Sequence, residues 1–220
     1  IDSTYRANTD AGFSIVSYTG TGSNATVAHG LNAAIDFMIV KDRDSSSGWW
    51  TVYHKSMGNE KGLYLNDAQA MVDNSFWNDI SPTSAVFSIG ANANTNSTND
   101  FICYAWSEVE GYSKFGSYSG GSSSFIYCGF RPKFLLIKSS SNAGQEWMLL
   151  DAARDEYNVT DNPIQVNHAY GEDPNSAQDM DFLSNGFKLR NTSSGSTDYP
   201  GRTYIYAAFA ESPFKYSNAR

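Results

Sequence analysis

Short apolar runs recur along the whole chain, separated by clusters of Gly, Asn, Asp and Ser, and helical periodicity is almost absent. Such runs, bounded by turn-forming residues, are typical of β-strands. The pattern predicts strands in the first half at residues 13–18, 26–28, 36–41, 50–54, 62–65, 86–90 and 101–106. In the second half it predicts strands at residues 114–118, 124–127, 133–138, 146–150, 186–190 and 203–209. We therefore expect an all-β protein.

Some segments depart from this alternation of strands and turns. Residues 35–40, apart from Asp36, and residues 134–137 are continuously apolar, which predicts central strands covered on both faces. Residues 91–100 are polar apart from Ala91 and Ala93 and are matched by residues 191–201. Both lie between strand runs, so each is expected to form an exposed hairpin tip. A helical turn is predicted at residues 67–72.

The order of these patterns occurs twice in the chain. GFSIVSY at residues 12–18 matches GYSKFGSY at residues 111–118, and DFMIVK at residues 36–41 matches KFLLIK at residues 133–138. The period of about 100 residues is the size of a small all-β unit. We predict two tandem, repeated antiparallel β-sandwich units of the lectin or jelly-roll type, at residues 12–110 and 111–220.

The segments around these units complete the predicted domain organisation. Residues 1–11 are expected to be a lead-in from a longer chain. No polar linker separates the two halves, so the second unit is expected to be rigidly docked on the first. Cys103 and Cys128 each lie in an apolar strand run, which favours two free, buried thiols over a bridge between them.

Charge restricts the possible partners. The chain of 220 residues has a formal net charge of −8, and its 15 Lys and Arg residues form no cluster. Binding to a phosphate backbone or an anionic membrane draws on clustered basic residues, so neither is expected. No apolar run approaches the roughly 20 residues that span a bilayer.

The sequence offers few groups for catalysis or metal binding. Asp42 and Asp44 place oxygens at alternate positions, as in a calcium loop, but the glycine and the final acid of that loop are out of place. A solvated hairpin turn is therefore the preferred interpretation, and no cofactor is expected. Paired carboxylates could serve a glycosidase, and the candidates are Asp151, Asp155, Glu156, Asp179 and Asp181. For Asp151 and Asp155, internal pairing with Arg154 is the favoured interpretation. We expect a protein that is not an enzyme.

Aromatic residues give the stronger functional signal, at 15% of the chain. The apolar C–H faces of sugars stack on aromatic rings, and sugar hydroxyls bond to Asn, Asp, Ser and Thr. Trp49 has Glu146 opposite it in the repeat, and strand alternation turns it outward if Trp50 points inward. Trp77 lies in an unrepeated loop region. The predicted glycan-contacting residues are Trp49, Tyr53, His54 and Trp77.

Several strings in the chain resemble a domain of unknown function found near the C-terminus of tail-fibre-like virion proteins of marine and environmental bacteriophages. They include GFSIVSYTG at residues 12–20, VAHGL at 27–31, EGYSKFGSY at 110–118, DFLSNGFKLR at 181–190 and PFKYSNAR at 213–220. The resemblance covers residues 11–220. It implies that the domain lies in the virion, at the distal part of a fibre, and acts outside the cell.

The resemblance and the composition together suggest a function. We expect a non-enzymatic receptor-binding domain that attaches the phage to a bacterial surface polysaccharide or lipopolysaccharide. Other virion proteins are expected partners, and a homotrimer is expected because fibres are usually trimeric. Two alternatives stay open. One is a structural or decoration component of the virion, and the other is a polysaccharide depolymerase.

Overall fold

The computed structural model describes residues 1–122, 124–172, 178–192 and 194–211. Within these residues the regular secondary structure is almost entirely β-strand, and every strand pairing is antiparallel. This confirms the predicted all-β class. The chain divides into two compact units. The first contains Ile1–Asn66 and Met71–Glu108, and the second contains Asp67–Ala70 and Val109–Arg220.

The first unit has a large sheet and a two-stranded sheet. Across the large sheet the strand order is β1 (Ser3–Asn8), β2 (Phe13–Thr19), β9 (Asp100–Trp106), β4 (Phe37–Asp42), β5 (Trp50–His54), β6 (Lys61–Tyr64) and β7 (Val72–Asp73). The two-stranded sheet pairs β3 (Ala25–Ala28) with β8 (Val86–Ile89). A 3₁₀ turn at Lys55–Met57 follows β5, and a one-turn helix, α1 (Ala93–Asn96), precedes β9.

Alternation along the strands positions the core of this unit. Strand β2 buries Ser14, Val16 and Tyr18 and exposes the residues between them, as expected for a strand with one solvated face. Val16 and Tyr18 join a cluster of buried apolar residues that also includes Phe87 and Ile89 from β8. The core therefore lies between the large sheet and the small one.

The second unit has a five-stranded and a three-stranded sheet. The larger has the order β10 (Ser113–Ser119), β17 (Thr203–Phe209), β12 (Phe134–Ser139), β13 (Met148–Asp151) and β14 (Ile164–Gln165). The smaller has the order β11 (Phe125–Tyr127), β16 (Gly186–Leu189) and β15 (Met180–Leu183). Its core cluster includes Leu135, Ile137, Phe187 and Tyr206. The predicted tandem repeat and the docking of its two halves stay predictions.

The two continuously apolar runs form central strands, as predicted. Strand β4 lies fourth of seven in its sheet and β12 third of five. Adjacent residues in each, such as Phe37 and Met38 in β4 or Leu135 and Leu136 in β12, are buried. Because neighbouring side chains on a strand point to opposite faces, both faces of these strands are covered.

Four strands were not expected from the pattern: β1, β7, β14 and β15. Strand β1 lies within the expected lead-in and pairs along its whole length with β2. It is polar and mostly exposed, so it joins the sheet through backbone hydrogen bonds without an apolar face. The helical turn predicted at residues 67–72 does not form; this segment is a bend followed by irregular chain and the start of β7.

The two polar loops are not exposed tips, contrary to expectation. In the first, Thr95 and Asn96 are buried, and the Tyr18 hydroxyl donates to the Thr95 carbonyl oxygen over 2.7 Å. In the second, Thr197 is buried, and the Tyr118 hydroxyl donates to its carbonyl oxygen over 2.6 Å. A buried loop must satisfy its backbone polar groups, and a tyrosine from the core sheet does so in each unit.

Two further expectations can be compared with the described residues. Cys103 and Cys128 are buried thiols that are not joined by a disulfide, which confirms the favoured interpretation. None of the helices in the described ranges is long and apolar enough to span a membrane.

Candidate functional site

Two of the predicted glycan-contacting residues are core residues. Trp77 is fully buried and packs edge to face against Tyr53, with ring centroids 5.7 Å apart. The indole Nε1 of Trp77 donates to the Lys61 carbonyl oxygen over 2.9 Å. Burial, with a smaller contribution from the Asp36 carboxylate, raises the pKa of Tyr53 to about 12. Neither ring is accessible to a sugar, so the prediction is wrong for both.

The other two predicted residues also have structural roles. His54 is fully buried, and its Nδ1 accepts a hydrogen bond from the Ser56 amide over 3.1 Å, which caps the 3₁₀ turn. Trp49 is half-buried, stacks on Tyr64 at 4.6 Å and packs against the core instead of facing outward. The alternation of side chains along β5 did not predict the direction of Trp49 correctly, because β5, which follows Trp49, is covered on both faces.

The calcium candidates Asp42 and Asp44 stabilise a turn. The Asp42 carboxylate accepts from the amides of Asp44 and Ser45 over 3.0 and 3.1 Å, and from Asn99 Nδ2 over 2.9 Å. The Asp44 carboxylate accepts from the Asp100 amide over 2.8 Å. Asp42 is buried, so the turn is less solvated than expected. No group of three or more His, Cys, Asp or Glu residues that could hold a metal occurs in the described ranges.

The first unit contains an open cavity of about 400 Å³ whose walls are rich in amides. We call it the asparagine cavity; it is lined by Asn24, Asn74, Ser75, Asn78, Asp79, Ala91 and Asn92. No lining residue is basic or aromatic. Cofactor pockets are mostly apolar, so this lining is suited instead to a ligand with many hydroxyl groups.

The loop that forms one wall of this cavity has an unusual backbone. Ser75, Asn78 and Asp79 all have positive φ, at 48°, 52° and 53°. The left-handed region costs an L-residue about 1–2 kcal/mol, less for Asn and Asp, and residues held there concentrate at binding sites. Three such residues within five positions indicate a loop whose shape is imposed by its surroundings.

Buried aromatic anchors impose that shape. Phe76 and Trp77, between Ser75 and Asn78, are both fully buried in the core. The Phe76 carbonyl oxygen accepts from the Gly90 amide over 2.9 Å and from Thr95 Oγ1 over 3.2 Å. A side chain at Gly90 would place its Cβ 1.9 Å from the Ser75 carbonyl oxygen, so only glycine permits this approach.

Hydrogen bonds between the walls fix the cavity further. Asn24 Nδ2 donates to Asn78 Oδ1 over 2.5 Å, which joins the loop before β3 to the anchored loop. Asn92 Nδ2 donates to the Asn74 carbonyl oxygen over 2.8 Å. The same Asn92 side chain accepts from the Asn94 amide over 2.9 Å as the N-cap of α1. The shape of the cavity is therefore fixed by hydrogen bonds within the chain.

Comparison with known families identifies the family of the chain. The family described as a domain of unknown function, DUF7483, matches residues 1–213. The chain belongs to the DUF7483 family. No curated protein and no solved structure matches it. The resemblance to a domain of unknown function is thereby confirmed.

In this DUF7483 domain, the sequence pattern pointed to a loop that lines the asparagine cavity, but through Trp77, which is buried in the core. Trp77 marked the unrepeated segment around residues 66–82, and the structure places that segment at the asparagine cavity. Its polar neighbours were missed because Asn and Ser are abundant throughout the sequence. The available signal was the position of Asn78 and Asp79 beside an aromatic pair in a segment that the second half does not repeat.

Proposed function

We propose that this DUF7483 domain is a non-enzymatic receptor-binding domain of a phage tail fibre, and that it contacts bacterial surface glycan through the asparagine cavity. The observation that carries the proposal is a preorganised cavity with amide, hydroxyl and carboxylate walls. An asparagine side chain donates and accepts hydrogen bonds, as does each sugar hydroxyl. A wall of several asparagines therefore matches a surface of adjacent hydroxyl groups.

The charge of the lining supports a particular class of glycan. The lining contains the acidic residue Asp79 and no Lys, Arg or His. Phosphate and carboxylate groups are recognised by Arg, Lys or clustered backbone amides. The ligand at this cavity is therefore a neutral part of a polysaccharide or lipopolysaccharide, such as a hexose, and not an acidic sugar or a phosphate.

The surroundings of Asp151 and Asp155 argue against these two carboxylates as the catalytic pair of a glycosidase. Burial alone would raise the pKa of Asp151, but hydrogen bonds from the Arg154 side chain, at 2.6 Å, and from the Arg154 and Ala153 amides lower it. The Asp155 carboxylate accepts from the amides of Asp161 and Asn162. A glycosidase needs a general acid with a raised pKa, and Asp151 has the opposite shift.

The phage context rests on the resemblance of the strings quoted above. In that context the domain acts at the virion surface, outside the host cell, and its other partners are virion proteins. A homotrimeric fibre would present three copies of the cavity. Weak sites gain strongly when several engage one repetitive polymer, so a shallow cavity suffices for attachment.

Asn78→Gly is expected to weaken glycan binding about tenfold. Glycine adopts positive φ without strain, so this variant removes the Asn78 amide, with its hydrogen bond to Asn24, and adds no backbone strain to the loop. Loss of one or two ligand hydrogen bonds at about 1 kcal/mol each corresponds to that factor. The measurement is binding of the labelled domain to an array of bacterial surface glycans, followed by titration calorimetry with each neutral oligosaccharide that binds.

Asn32→Gly is the matched control, because Asn32 has a positive φ of 60°, as Asn78 has, and does not line the asparagine cavity. It should bind like the unmodified domain. Equal binding by Asn78→Gly and the unmodified domain would reject the cavity as the site. A folded domain that binds no glycan on the array would favour the alternative of a structural virion component.

A further inference from the structure

Strand β11 in the second unit exposes two aromatic rings on one face. Phe125 is 44% exposed and Tyr127 is 64% exposed, whereas Ile126 between them is buried in the core. Alternate residues on a strand lie about 7 Å apart and point the same way. The two rings are therefore neighbours on the outer face of the three-stranded sheet. We call them the aromatic pair.

The strand next to the aromatic pair keeps it uncovered. Tyr127 is opposite Gly186 in strand β16, and Phe125 is opposite Lys188. Gly186 has no side chain to cover the rings, and a Cβ there would lie 3.0 Å from Phe125 Cζ and 2.1 Å from the Ile126 carbonyl oxygen. The ring of Phe125 thus extends over the glycine.

Charged groups adjoin the rings on the same sheet. Lys188 is exposed and lies opposite Asp181 in strand β15. Arg190 Nε is 3.5 Å from the Asp181 carboxylate, so this acid is already paired with a guanidinium. Hydrogen-bond donors and acceptors are therefore available next to an apolar surface, within one or two strand spacings of about 5 Å each.

The size of the apolar surface indicates its ligand. An aromatic side chain presents about 150–250 Å², so the exposed fractions of the two rings amount to about 200 Å². A standard protein interface needs about 800 Å² from each partner, roughly four times as much. A single sugar ring, by contrast, offers an apolar C–H face of the scale of one aromatic ring, with hydroxyl groups at its edge.

We propose that the aromatic pair is a second glycan site, at which a pyranose residue stacks its C–H face on Phe125 and Tyr127. Lys188 and the Asp181–Arg190 pair bond its hydroxyl groups. This site recognises sugars by stacking, which the asparagine cavity cannot do because no aromatic residue lines it. The inference shares the glycan ligand with the proposed function but stands on separate residues.

The test compares two variants on the same glycan array and then by calorimetry with the soluble pyranose oligosaccharides that bind. Phe125→Ser/Tyr127→Ser is expected to weaken binding of one set of glycans about tenfold, and Tyr127→Phe should retain that binding because it keeps the ring. Tyr157→Ser is the control, since Tyr157 is an aromatic residue of the same unit that is 82% exposed and lies outside the aromatic pair.

The outcomes separate this inference from the proposed function. If Phe125→Ser/Tyr127→Ser loses glycan binding and Asn78→Gly retains it, the aromatic pair is supported and the cavity is rejected. The reverse result overturns the aromatic pair. Unchanged glycan affinity in both variants overturns both sites. If the double variant instead abolishes self-association and leaves glycan affinity unchanged, the aromatic pair is an interface between copies, and the inference is wrong.

Discussion

Trp77→Ala is expected to lower the free energy of unfolding of the first unit by about 3–5 kcal/mol, the usual cost of truncating a large buried aromatic residue. Trp77 is fully buried, packs edge to face on Tyr53 and donates an indole hydrogen bond to the Lys61 carbonyl oxygen. The substitution would leave a cavity between these partners and an acceptor without its donor. Urea denaturation followed by circular dichroism measures the change.

Two controls show that the effect comes from burial. Trp77→Phe keeps most of the apolar volume but loses the indole donor, so a smaller loss of about 1–2 kcal/mol is expected. Trp49→Ala removes a half-buried ring and should cost less than Trp77→Ala. A fully stable Trp77→Ala variant that no longer binds glycan would contradict the buried position and restore Trp77 as a ligand contact.

The same substitution should also weaken binding at the asparagine cavity. Ser75, Asn78 and Asp79 hold positive φ because their neighbours Phe76 and Trp77 are fixed in the core. Without the Trp77 anchor, the loop can relax to less strained conformations, and the cavity loses its preorganised shape. The difference between Trp77→Ala and Asn78→Gly is that only the first should lower stability strongly.

The strands of the core could be predicted because their information is local. Strand β5 begins and ends at the residues that the pattern predicts, Trp50 and His54, and β17 likewise at Thr203 and Phe209. Each is an apolar run between turn residues. Strand β1 could not be predicted in this way, because a polar edge strand gains its place from backbone hydrogen bonds with β2, which leave no mark in its own sequence.

The candidate site depends on contacts between distant parts of the chain, and for this reason the sequence did not disclose it. A buried aromatic anchor and an exposed aromatic ligand contact give the same signal in composition. What distinguishes Trp77 is the hydrogen bond to Lys61 and the contact with Tyr53, residues 16 and 24 positions away. The polar loop at residues 91–100 was misjudged for the same reason, since the Tyr18 hydroxyl that binds it comes from another strand.

Lys138→Met is expected to change how the stability of the second unit responds to pH. Lys138 lies in β12 and is fully buried, with Nζ donating to the carbonyl oxygens of Gln69 and Ser139, each over 2.9 Å. Burial lowers the pKa of this ammonium group to about 8, although the Glu146 and Asp67 carboxylates oppose the shift. The ammonium group of Lys138 thus anchors the segment Asp67–Ala70 by a hydrogen bond, although its burial removes a charged group from water, which costs free energy.

The direction of the pH effect follows from the two protonation states. In the unfolded chain Lys138 keeps its ordinary pKa near 10.4, so between pH 8 and 10 the unfolded state binds more protons than the folded state. Stability contributed by this residue therefore rises with pH in that range, by about 2–3 kcal/mol over two pH units. Below pH 8 both states are protonated and the contribution is constant.

The measurement is the difference in unfolding free energy between the unmodified domain and Lys138→Met, taken by urea denaturation at intervals from pH 7 to 10. Other ionisable groups, including Tyr118, whose pKa is raised by burial, are present in both proteins and cancel in the difference. The difference should shift in favour of the unmodified domain as pH rises through 8. A difference that stays constant with pH would mean that Lys138 keeps its ordinary pKa and is open to solvent, contrary to its position in β12.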